Sequence, residues 1–347
     1  MPPEPPPATL RLNVDTDALA ANWRALDRLS GTASAGAAVK ADGYGLGVAK
    51  VVPALRKAGT RDFLVAHWGE VPAVLEHVPP ASLSVLHGPL TQEEARFAIA
   101  SGVKPVINSL SQADRWLEAG GGPCDLMVDS GINRLGIRVR DLGSETIARL
   151  EIDVLMSHLA SADEDVPQNA AQLAIWKDAR KVVAHRRASL ANSAGICLGA
   201  DYHGDLTRPG LALYGGIPRA ELAGEIVQVA RPQAAVMQVR EIEEGQSVGY
   251  NATFRASRAM RLGTIAIGYA DGYMRCWSDR GTASCKQTTL PVVGRVSMDM
   301  TILDLSDAPD IREGDWVELA YDLPSASAKS SLSQYELLTL LGKRFAR

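Results

Sequence analysis

The chain has 347 residues, a formal net charge of −4, 46% hydrophobic residues and 22% charged residues. This composition is that of an ordinary globular protein with enough apolar surface for a sizeable core, and the length favours two domains. The sequence contains no run of Lys or Arg and no apolar stretch near the roughly 18 residues that a membrane helix needs. Nucleic acid and membranes are therefore not expected partners, and a small molecule is the predicted ligand.

Two further features bear on location and on metal binding. The start, MPPEPPPATL, lacks the cationic and apolar segments of a secretory signal, so we expect a short Pro-rich lead-in. The four cysteines form no CxxC pair and show no spacing with histidine that is typical of a zinc site. We therefore expect no metal, and a cytoplasmic protein with reduced thiols.

The first two thirds of the chain alternate short apolar runs with helical periodicity. Helical spacing is clear from Val48 to Ala58 and from Ala170 to His185, and no GxGxxG motif follows the first run. Eight such units predict an α/β fold with a parallel (β/α)8 barrel of the TIM type, rather than an open doubly wound sheet. The eight runs are SAGAAVKA, DFLVAH, LSVLHG, VKPVIN, CDLMVD, IDVLMSHL, ASLANSA and LALYGG.

From about residue 236 the segments become shorter, β-branched and punctuated by turns, which predicts a mostly β C-terminal domain. We expect the barrel domain over residues 8–235 and the β domain over residues 236–347. A first strand near residues 8–14 could join the β domain instead. A final helix is expected from Ser333 to Leu341, with Ser333 as its cap.

Polar residues that end apolar runs are candidates for chemistry, because a barrel builds its active site at the C-terminal ends of its strands. Lys40 ends the first run and precedes a Gly-rich turn whose N–H groups could hold an anion. Burial there would lower the pKa of the ammonium and make the amine nucleophilic. The other histidines are given plainer roles: His67 and His87 are expected to be packed at strand ends, and His77, His185 and His203 to lie in loops or at the surface.

The segment that contains Lys40, AAVKADGYGLG, is similar to the cofactor-lysine motif of alanine racemases. Seven later segments resemble the family's other motifs in the same order: SGINRLGI, SHLASADE, ANSAG, TRPGLALYGG, VGYNATF, IGYADGY and GRVSMD. The resemblance extends from about residue 8 to the C-terminus. It implies a pyridoxal-phosphate enzyme of fold type III, with a barrel followed by a β domain, that works as a homodimer.

The resemblance also implies roles for individual residues. Lys40 resembles the Schiff-base lysine and one catalytic base, and Tyr250 resembles the opposite base, supplied by the partner subunit. Arg208 resembles the arginine that faces the pyridine nitrogen. The implied cofactor-binding residues are Lys40, Tyr44, Arg134, His158, Asn192, Ser193, Arg208, Gly210, Leu211 and Tyr335. The implied substrate-binding residues are Arg134, Tyr269, Met298 and Asp299, of which Met298 and Asp299 resemble contributions of the partner subunit.

The chemistry of racemisation agrees with these roles. A proton must leave one face of the α-carbon and return on the other, so two bases are needed on opposite sides of the pyridoxal-phosphate aldimine. A phenol with an ordinary pKa near 10 needs a cationic or hydrogen-bonding neighbour to act as a base, for which His158 and Arg208 are candidates. The predicted reaction is interconversion of L-alanine and D-alanine, with D-alanine biosynthesis for peptidoglycan precursors as the expected context.

Arg208 separates this prediction from other functions of the same fold. A guanidinium leaves the pyridine nitrogen unprotonated, which weakens the cofactor as an electron sink and favours racemisation over transamination. A decarboxylase with a barrel and a β domain would instead place an acidic residue there. Two alternatives stay open: a racemase of broader or serine specificity, and a non-catalytic pyridoxal-phosphate carrier, which would need neither Tyr250 nor a second domain.

Met127 departs from a pattern common in the family. Two residues before Asp129, many members have a lysine that is often carbamylated, and methionine cannot carry a carbamate. A nearby polar side chain or a bound anion is therefore expected to support Arg134.

Overall fold

The computed structural model describes residues 6–346, so the first five residues of the expected Pro-rich lead-in lie outside the described residues. The chain divides into two compact units. We call Thr16–Val227 the barrel unit, and the residues up to Asp15 together with those from Gln228 onward the β unit. The expected boundary after residue 235 falls inside a strand, Ala230–Ile242, that pairs with other strands of the β unit along its whole length.

The barrel unit is built on parallel strands. After β1 (Leu10–Val14), which belongs to the β unit, the strands are β2 (Ser34–Ala35), β3 (Ala37–Ala38), β4 (Phe63–Val65), β5 (Leu83–Val85), β6 (Lys104–Ile107), β7 (Pro123–Asp129), β8 (Ile137–Arg138), β9 (Glu151–Met156), β10 (Arg187–Ser189) and β11 (Leu206–Thr207). Pairing runs from β3 through β4, β5, β6, β7 and β9 to β10, and β11 pairs with β2.

Main-chain hydrogen bonds close this sheet. Asp205 N donates to Ala188 O at 2.7 Å, and Asp205 O accepts from Ser34 N at 3.1 Å, which joins the β10 and β11 edge to the first strand. Strands β2 and β3 are two halves of one barrel strand. Counted in this way, eight parallel strands form the ring, as predicted. The helices are α1 (Thr16–Leu29), α2 (Lys40–Tyr44), α3 (Val48–Ala58), α4 (Val71–Leu75), α5 (Gln92–Ser101), α6 (Leu110–Glu118), α7 (Glu145–Ala148) and α8 (Pro167–Val182).

The prediction that LALYGG forms the eighth strand was wrong. Leu211–Tyr214 is a short 3-10 helix with all four side chains buried, and the eighth strand is β11, five residues earlier. A short buried apolar run has the same pattern in a strand and in a helical turn, so its composition could not distinguish them. The helix ends at Gly215, whose φ of 95° lies in the left-handed region. Arg208 therefore follows the eighth strand directly.

The barrel interior combines an apolar layer with a buried ion network near the N-terminal ends of the strands. The apolar layer consists of Val106, Met127, Val154, Met156 and Leu206. The network joins Lys104 to Asp153 at 2.5 Å and to Asp125 at 3.8 Å, and joins Arg187 to Asp153 at 3.0 Å and to Asp62 at 2.8 Å. Burial raises the pKa of Asp125, the most enclosed carboxyl of the set. This end of the barrel is therefore filled by the chain itself.

The β unit is an antiparallel sheet. Its C-terminal strands are β12 (Ala230–Ile242), β13 (Ser247–Val248), β14 (Phe254–Arg255), β15 (Met260–Ile265), β16 (Thr282–Cys285), β17 (Thr288–Pro291), β18 (Thr301–Asp304) and β19 (Trp316–Leu319). The main sheet has the order β17, β16, β19, β12, β15, β18, and β1 also pairs with β12. Leu12 N donates to Ala346 O, so both ends of the described chain lie in this unit.

Two helices follow the sheet, α9 (Leu323–Ser330) and α10 (Gln334–Thr339). The cap predicted for the last helix is confirmed. Ser333 Oγ accepts a hydrogen bond from Glu336 N at 3.2 Å, and the Glu336 carboxylate accepts one from Ser333 N at 2.8 Å. The helix ends at Thr339, two residues before the predicted Leu341.

Three observations concern membranes, thiols and metals. Across residues 6–346, no helix combines the length and the apolar character that crossing a bilayer requires. All four cysteines are free thiols, namely Cys124, Cys197, Cys276 and Cys285. Within the same described range, no group of three or more His, Cys, Asp or Glu side chains is arranged to hold a metal ion.

Candidate active site

Lys40 lies at the C-terminal end of the first barrel strand, one residue after the fully buried Val39. Its side chain is partly buried, and burial is the main reason that its pKa lies below the usual range of a lysine. The positive charge of Arg134 lowers the pKa further, and the negative charge of Glu70 opposes the shift. A larger fraction of this amine is therefore neutral than for a solvated lysine, as a nucleophile or a base requires.

The turn after Lys40 has an unusual backbone. Ala41, Asp42, Gly43 and Tyr44 have φ values of 53°, 54°, 63° and 55°, all in the left-handed region. The expectation that its N–H groups bind an anion is not supported, because they donate within the chain. The donor and acceptor pairs are Ala41 N to Glu70 Oε1, Gly43 N to Val39 O, Gly45 N to Ala41 O and Gly47 N to Asp42 O.

Hydroxyl and N–H groups gather instead around Gly210, next to the eighth strand. Ser193 Oγ accepts hydrogen bonds from Gly210 N at 2.9 Å and from Ala212 N at 3.2 Å. The Tyr44 ring stacks on Tyr214 with 4.6 Å between the ring centroids. A Cβ atom on Gly210 would lie 2.2 Å from Tyr44 Oη, so only glycine lets the backbone approach that hydroxyl. The Gly210 and Ala212 N–H groups donate to Ser193 Oγ, so the Ser193 and Tyr44 hydroxyls are the groups of this cluster that can donate to an anion.

Asn192 and Leu211 flank this cluster. Asn192 Oδ1 accepts a hydrogen bond from Gly195 N at 2.8 Å, which holds the loop that carries Ser193. Leu211 is buried and is the first residue of the 3-10 helix after Gly210. The first N–H groups of a helix have no partner within the helix. Asn192 therefore holds the loop that carries Ser193, and Leu211 begins the helix that follows Gly210.

Arg208 is a buried cation held by barrel atoms. Its side chain is 6% exposed, and it donates to Ser157 O at 2.5 Å and to the Ser189 hydroxyl. Burial lowers its pKa to about 10, so the guanidinium still carries its charge at neutral pH. The two serines come from the seventh strand and from the end of the sixth, which fixes the guanidinium from two directions.

His158 follows the sixth barrel strand and is neutral at physiological pH. Burial first, and then the charges of Arg208, Arg134 and Lys40, lower its pKa to about 3. Arg208, Arg134 and Lys40 therefore lie near enough to His158 for their charges to act on its imidazole. Gln172, on α8, donates to His158 O at 3.0 Å and so holds the backbone on which the imidazole is carried.

Arg134 lies exposed in the loop after β7, and Asp129 shapes that loop. Met127 is 8% exposed and packs in the apolar layer of the barrel, so residue 127 supplies no polar support. The Asp129 carboxylate accepts three main-chain hydrogen bonds, from Gly131 at 2.9 Å and from Ile132 and Asn133 at 3.1 Å each. Main-chain hydrogen bonding to Asp129 therefore sets the backbone that leads to Arg134.

The remaining candidate residues belong to the β unit, and two of them are largely exposed. Tyr250 begins a short 3-10 turn, Tyr250–Ala252, and is 65% exposed. Met298 is 53% exposed. Tyr335 lies on α10 and is 46% exposed. These side chains present surface rather than fill the core of their unit.

Tyr269 and Asp299 are better anchored. The guanidinium of Arg275 lies 5.2 Å from the centroid of the Tyr269 ring. Asp299 accepts a hydrogen bond from Arg344 at 2.7 Å, and the same guanidinium makes two hydrogen bonds, of 2.6 and 2.8 Å, to the fully buried Asp271. Arg344 therefore ties Asp299 to the turn that carries Tyr269.

Several residues that organise the site were not found from the sequence. Ser157 and Ser189 interrupt apolar runs, which is the one sequence signal that could have pointed to them. His67 and His87 were expected to be packed or hydrogen-bonded, but both residues are exposed, and their rings contact each other with centroids 4.2 Å apart. His203 lies in a turn, which agrees with one of its two expected positions, but it is buried rather than at the surface: it is 5% exposed, with Nδ1 2.9 Å from Ser30 O and Nε2 2.8 Å from Ile196 O.

These residues fit pyridoxal phosphate. Lys40 offers an amine of lowered pKa to an aldehyde, the cradle at Gly210 offers the Ser193 and Tyr44 hydroxyls to a phosphate, and Arg208 offers a fixed cation. The close approach at Gly210 is an observation of this structure that a surface loop would not need. The barrel, its lysine and the cradle define the class: an enzyme that holds pyridoxal phosphate at the mouth of a (β/α)8 barrel.

Comparison with known proteins gives the family. Residues 14–218 match the model of the alanine racemase N-terminal domain, and residues 229–347 match that of the C-terminal domain. The alanine racemase of Acidiphilium cryptum is 41% identical over 350 residues, which cover 97% of each chain. The biosynthetic alanine racemase of Agrobacterium fabrum is 40% identical over 98% of this chain and 93% of its own. The chain belongs to the alanine racemase family.

A solved structure supports the same assignment. The crystal structure of alanine racemase from Bartonella henselae, with covalently bound pyridoxal phosphate, superposes with a TM-score of 0.90. It is 36% identical, and the match covers 98% of this chain and 99% of the Bartonella chain. The predicted fold, a TIM-type barrel with a C-terminal mostly β domain, is confirmed.

Proposed function

We propose that the protein is a pyridoxal-phosphate-dependent isomerase that interconverts L-alanine and D-alanine, with Lys40 and the partner's Tyr250 as opposing bases. The observation that carries the proposal is the environment of Lys40 in a chain of this family. Burial and Arg134 lower the pKa of its amine at the end of a barrel strand. We further propose a cytoplasmic location and a role in D-alanine biosynthesis, supported by the free cysteines and by the biosynthetic Agrobacterium relative.

Bound pyridoxal phosphate withdraws electrons from the α-carbon of the amino acid and so makes its proton removable. Lys40 takes or returns that proton on one face, because burial lowers the pKa of its ammonium and so favours the neutral form that a base requires. The hydroxyl of the partner's Tyr250 does the same on the other face. Ser193, Tyr44, Gly210 and Leu211 hold the phosphate, and the role of Tyr335 there stays a prediction from the family resemblance.

Arg208 and His158 set the polarity at the cofactor ring. Arg208 keeps its charge at neutral pH and has no lone pair with which to accept a proton. We assign it to the pyridine nitrogen, where a guanidinium leaves that nitrogen unprotonated. His158 is partly buried and neutral, so it could pack against a flat ring without adding charge. Arg134 provides a cation on the loop beside Lys40 for the acidic groups of cofactor and substrate.

The exposure of the β-unit residues supports a shared site. Tyr250 lies along a groove of its unit whose wall also includes Arg240, Val248, Arg295 and Met300. Tyr250 and Met300 are 65% and 42% exposed, and apolar surface of this kind usually marks an interaction site. In a two-fold dimer the same patch serves both subunits, so each site would take Tyr250, Met298 and Asp299 from the partner subunit.

Subunit mixing tests this proposal. A Lys40→Ala chain and a Tyr250→Phe chain are each expected to be nearly inactive alone. In a heterodimer, one site inherits both defects and the other inherits neither, as two-fold symmetry demands. After random exchange of equal amounts, about half the dimers are mixed, so about a quarter of all sites should be intact. The measurement is exchange of the alanine α-hydrogen with solvent deuterium, together with formation of D-alanine.

Absence of recovered activity after mixing would contradict the shared site. If Tyr250 served the lysine of its own chain, every site in the mixture would carry one defect and activity would not return. Differently tagged chains, isolated by two successive affinity steps, establish independently that exchange took place. Mixing Lys40→Ala with a second, separately tagged Lys40→Ala chain is the matched control, because no arrangement of those subunits contains an intact site. A panel of L-amino acids on wild-type enzyme then separates alanine specificity from serine or broader specificity.

A further inference from the structure

Glu70 connects the backbone after Lys40 to the neighbouring strand. It ends a 3-10 helix, Trp68–Glu70, that follows β4. Its carboxylate accepts a hydrogen bond from Ala41 N at 2.5 Å through Oε1. Through Oε2 it accepts hydrogen bonds from Ala66 N at 2.8 Å and from His67 N at 3.0 Å. One carboxylate therefore joins the residue after Lys40 to the end of the second barrel strand.

The segment that Glu70 holds needs such support. Ala41, Asp42 and Tyr44 adopt the left-handed conformation, which brings the Cβ of an L-residue close to its own backbone and is disfavoured. The Asp42 carboxylate offsets part of this cost by accepting a hydrogen bond from Val48 N at 2.8 Å, at the far end of the turn. At the end next to Lys40, the side-chain acceptor is Glu70. Without it, the direction in which Lys40 leaves the strand would be less constrained.

Glu70 also contributes charge. The groups that act on Lys40 and on its neighbour His87 include Arg134, His67 and Glu70. Arg134 lowers the pKa of the Lys40 ammonium, and Glu70 raises it. His67 and His87 form an edge-to-face pair, and burial, His67 and Lys40 lower the pKa of His87. Glu70 is thus the anion that offsets a cationic environment around the amine.

We propose that Glu70 is a positioning residue for Lys40: its carboxylate fixes the left-handed turn that orients the lysine and supplies the negative charge that balances Arg134 beside the amine. The proposal rests on the proposed function, in which Lys40 is the cofactor lysine and a base. It assigns no contact between Glu70 and substrate. It gives a role to the acidic residue that stands three positions after His67.

The first experiment measures Lys40 without turnover. In the cofactor-free protein, the rate of acetylation of Lys40 by acetic anhydride is followed against pH by mass spectrometry, with exposed Lys57 as the internal standard. Glu70→Gln keeps the size of the side chain but removes its charge and turns an amide N–H₂ toward backbone donors. We expect the midpoint for Lys40 to fall by about 0.5 pH unit or more, because a neighbouring anion favours the ammonium. An unchanged midpoint would overturn the charge assignment.

The second experiment measures turnover of the holoenzyme. Glu70→Gln is expected to lower kcat about tenfold or more, with the KM for alanine changed less than about threefold, because the lysine rather than the substrate pocket is misplaced. Glu94→Gln is the matched control: Glu94 accepts a hydrogen bond from Leu90 N at 2.6 Å in another barrel loop. Equal effects of the two substitutions on kcat would overturn the positioning role.

Glu70→Asp covers the case in which Glu70→Gln does not fold. It keeps the charge but shortens the side chain, so the acetylation midpoint should stay within about 0.3 pH unit of wild type while kcat falls. Wild-type kcat in Glu70→Asp would refute the positioning role. Failure of the proposed function would instead appear in the wild-type chain, as absent racemisation or absent recovery on subunit mixing, whatever residue 70 is.

Discussion

The barrel unit and the β unit present their site residues in opposite ways. In the barrel unit, Ser193 and Arg208 are 2% and 6% exposed, and barrel atoms hold both of them. In the β unit, Tyr250 and Met298 are 65% and 53% exposed. The barrel unit, which is assigned to bind most of the cofactor, therefore holds its site residues in place by contacts within its own chain. The β unit, which is assigned to supply Tyr250, presents exposed side chains that a second subunit can use.

The largest expected effect separates cofactor capture from turnover. Lys40→Ala should abolish both the visible absorption of lysine-bound pyridoxal phosphate and, by at least about a thousandfold, racemisation, because it removes the anchor and one base. Tyr250→Phe should abolish racemisation but keep the absorption band, since Tyr250 is assigned to proton transfer and not to attachment of the cofactor. Absorption spectra and D-alanine assays on the two variants make the measurement. Loss of the absorption band in Tyr250→Phe would contradict the assignment of cofactor attachment to the barrel unit and of Tyr250 to turnover.

A smaller effect is expected in the β unit from Arg344. Arg344→Gln leaves the fully buried Asp271 without its bidentate partner and releases Asp299. An unpaired buried carboxylate should destabilise the β unit by about 2–3 kcal/mol. Amide hydrogen exchange should show faster exchange around residues 268–273 and no change in the barrel strands.

The matched control for Arg344 is Arg258→Gln. Arg258 pairs at 3.3 Å with Asp304 and is largely exposed, so its loss should change stability by less than about 1 kcal/mol. If Arg258→Gln accelerated exchange at residues 268–273 as much as Arg344→Gln does, the effect would be one of net charge rather than of the Asp271 contact.

The smallest expected effect concerns the pH dependence of the barrel unit. His158 has an ordinary pKa of 6.5 when unfolded and about 3 when folded, so between these values the unfolded chain binds the extra proton. As pH falls from 6.5 toward 3, His158 should remove up to about 1.4 kcal/mol of stability per pH unit, and above 6.5 it should have no effect. Urea unfolding of the cofactor-free protein at pH 7 and pH 5 measures this slope.

His158→Gln should reduce that slope, because glutamine does not titrate. His77→Gln removes a histidine beyond the end of α4, outside the site, and should leave the slope unchanged. An equal slope in wild type and His158→Gln would mean that the buried neutral imidazole does not control acid stability.

Sequence patterns predicted the elements whose signal is local. Helix α3 occupies Val48–Ala58 as the periodicity indicated, and Ser333 caps the last helix. The eighth strand was predicted in the wrong place. Leu206 and Thr207 form only two residues of strand, which is too short for a recognisable pattern, and the apolar run LALYGG begins with a buried helical turn instead. The contacts of Glu70 with Ala41 and of His203 with Ser30 could not be predicted, because these partners lie 29 and 173 residues away in the chain.

The pairing of β1 with β12 has a consequence for synthesis. Leu10–Val14 leaves the ribosome before the barrel unit, but its antiparallel partner, Ala230–Ala234, follows only after every residue of that unit. Most barrel strands pair with a strand that is close in the sequence and can pair as they emerge. Strand β1 must wait with an open edge, and Ala346, to which Leu12 donates, is made later still. The nascent chain therefore completes its lysine-bearing barrel before β1 can find its partners.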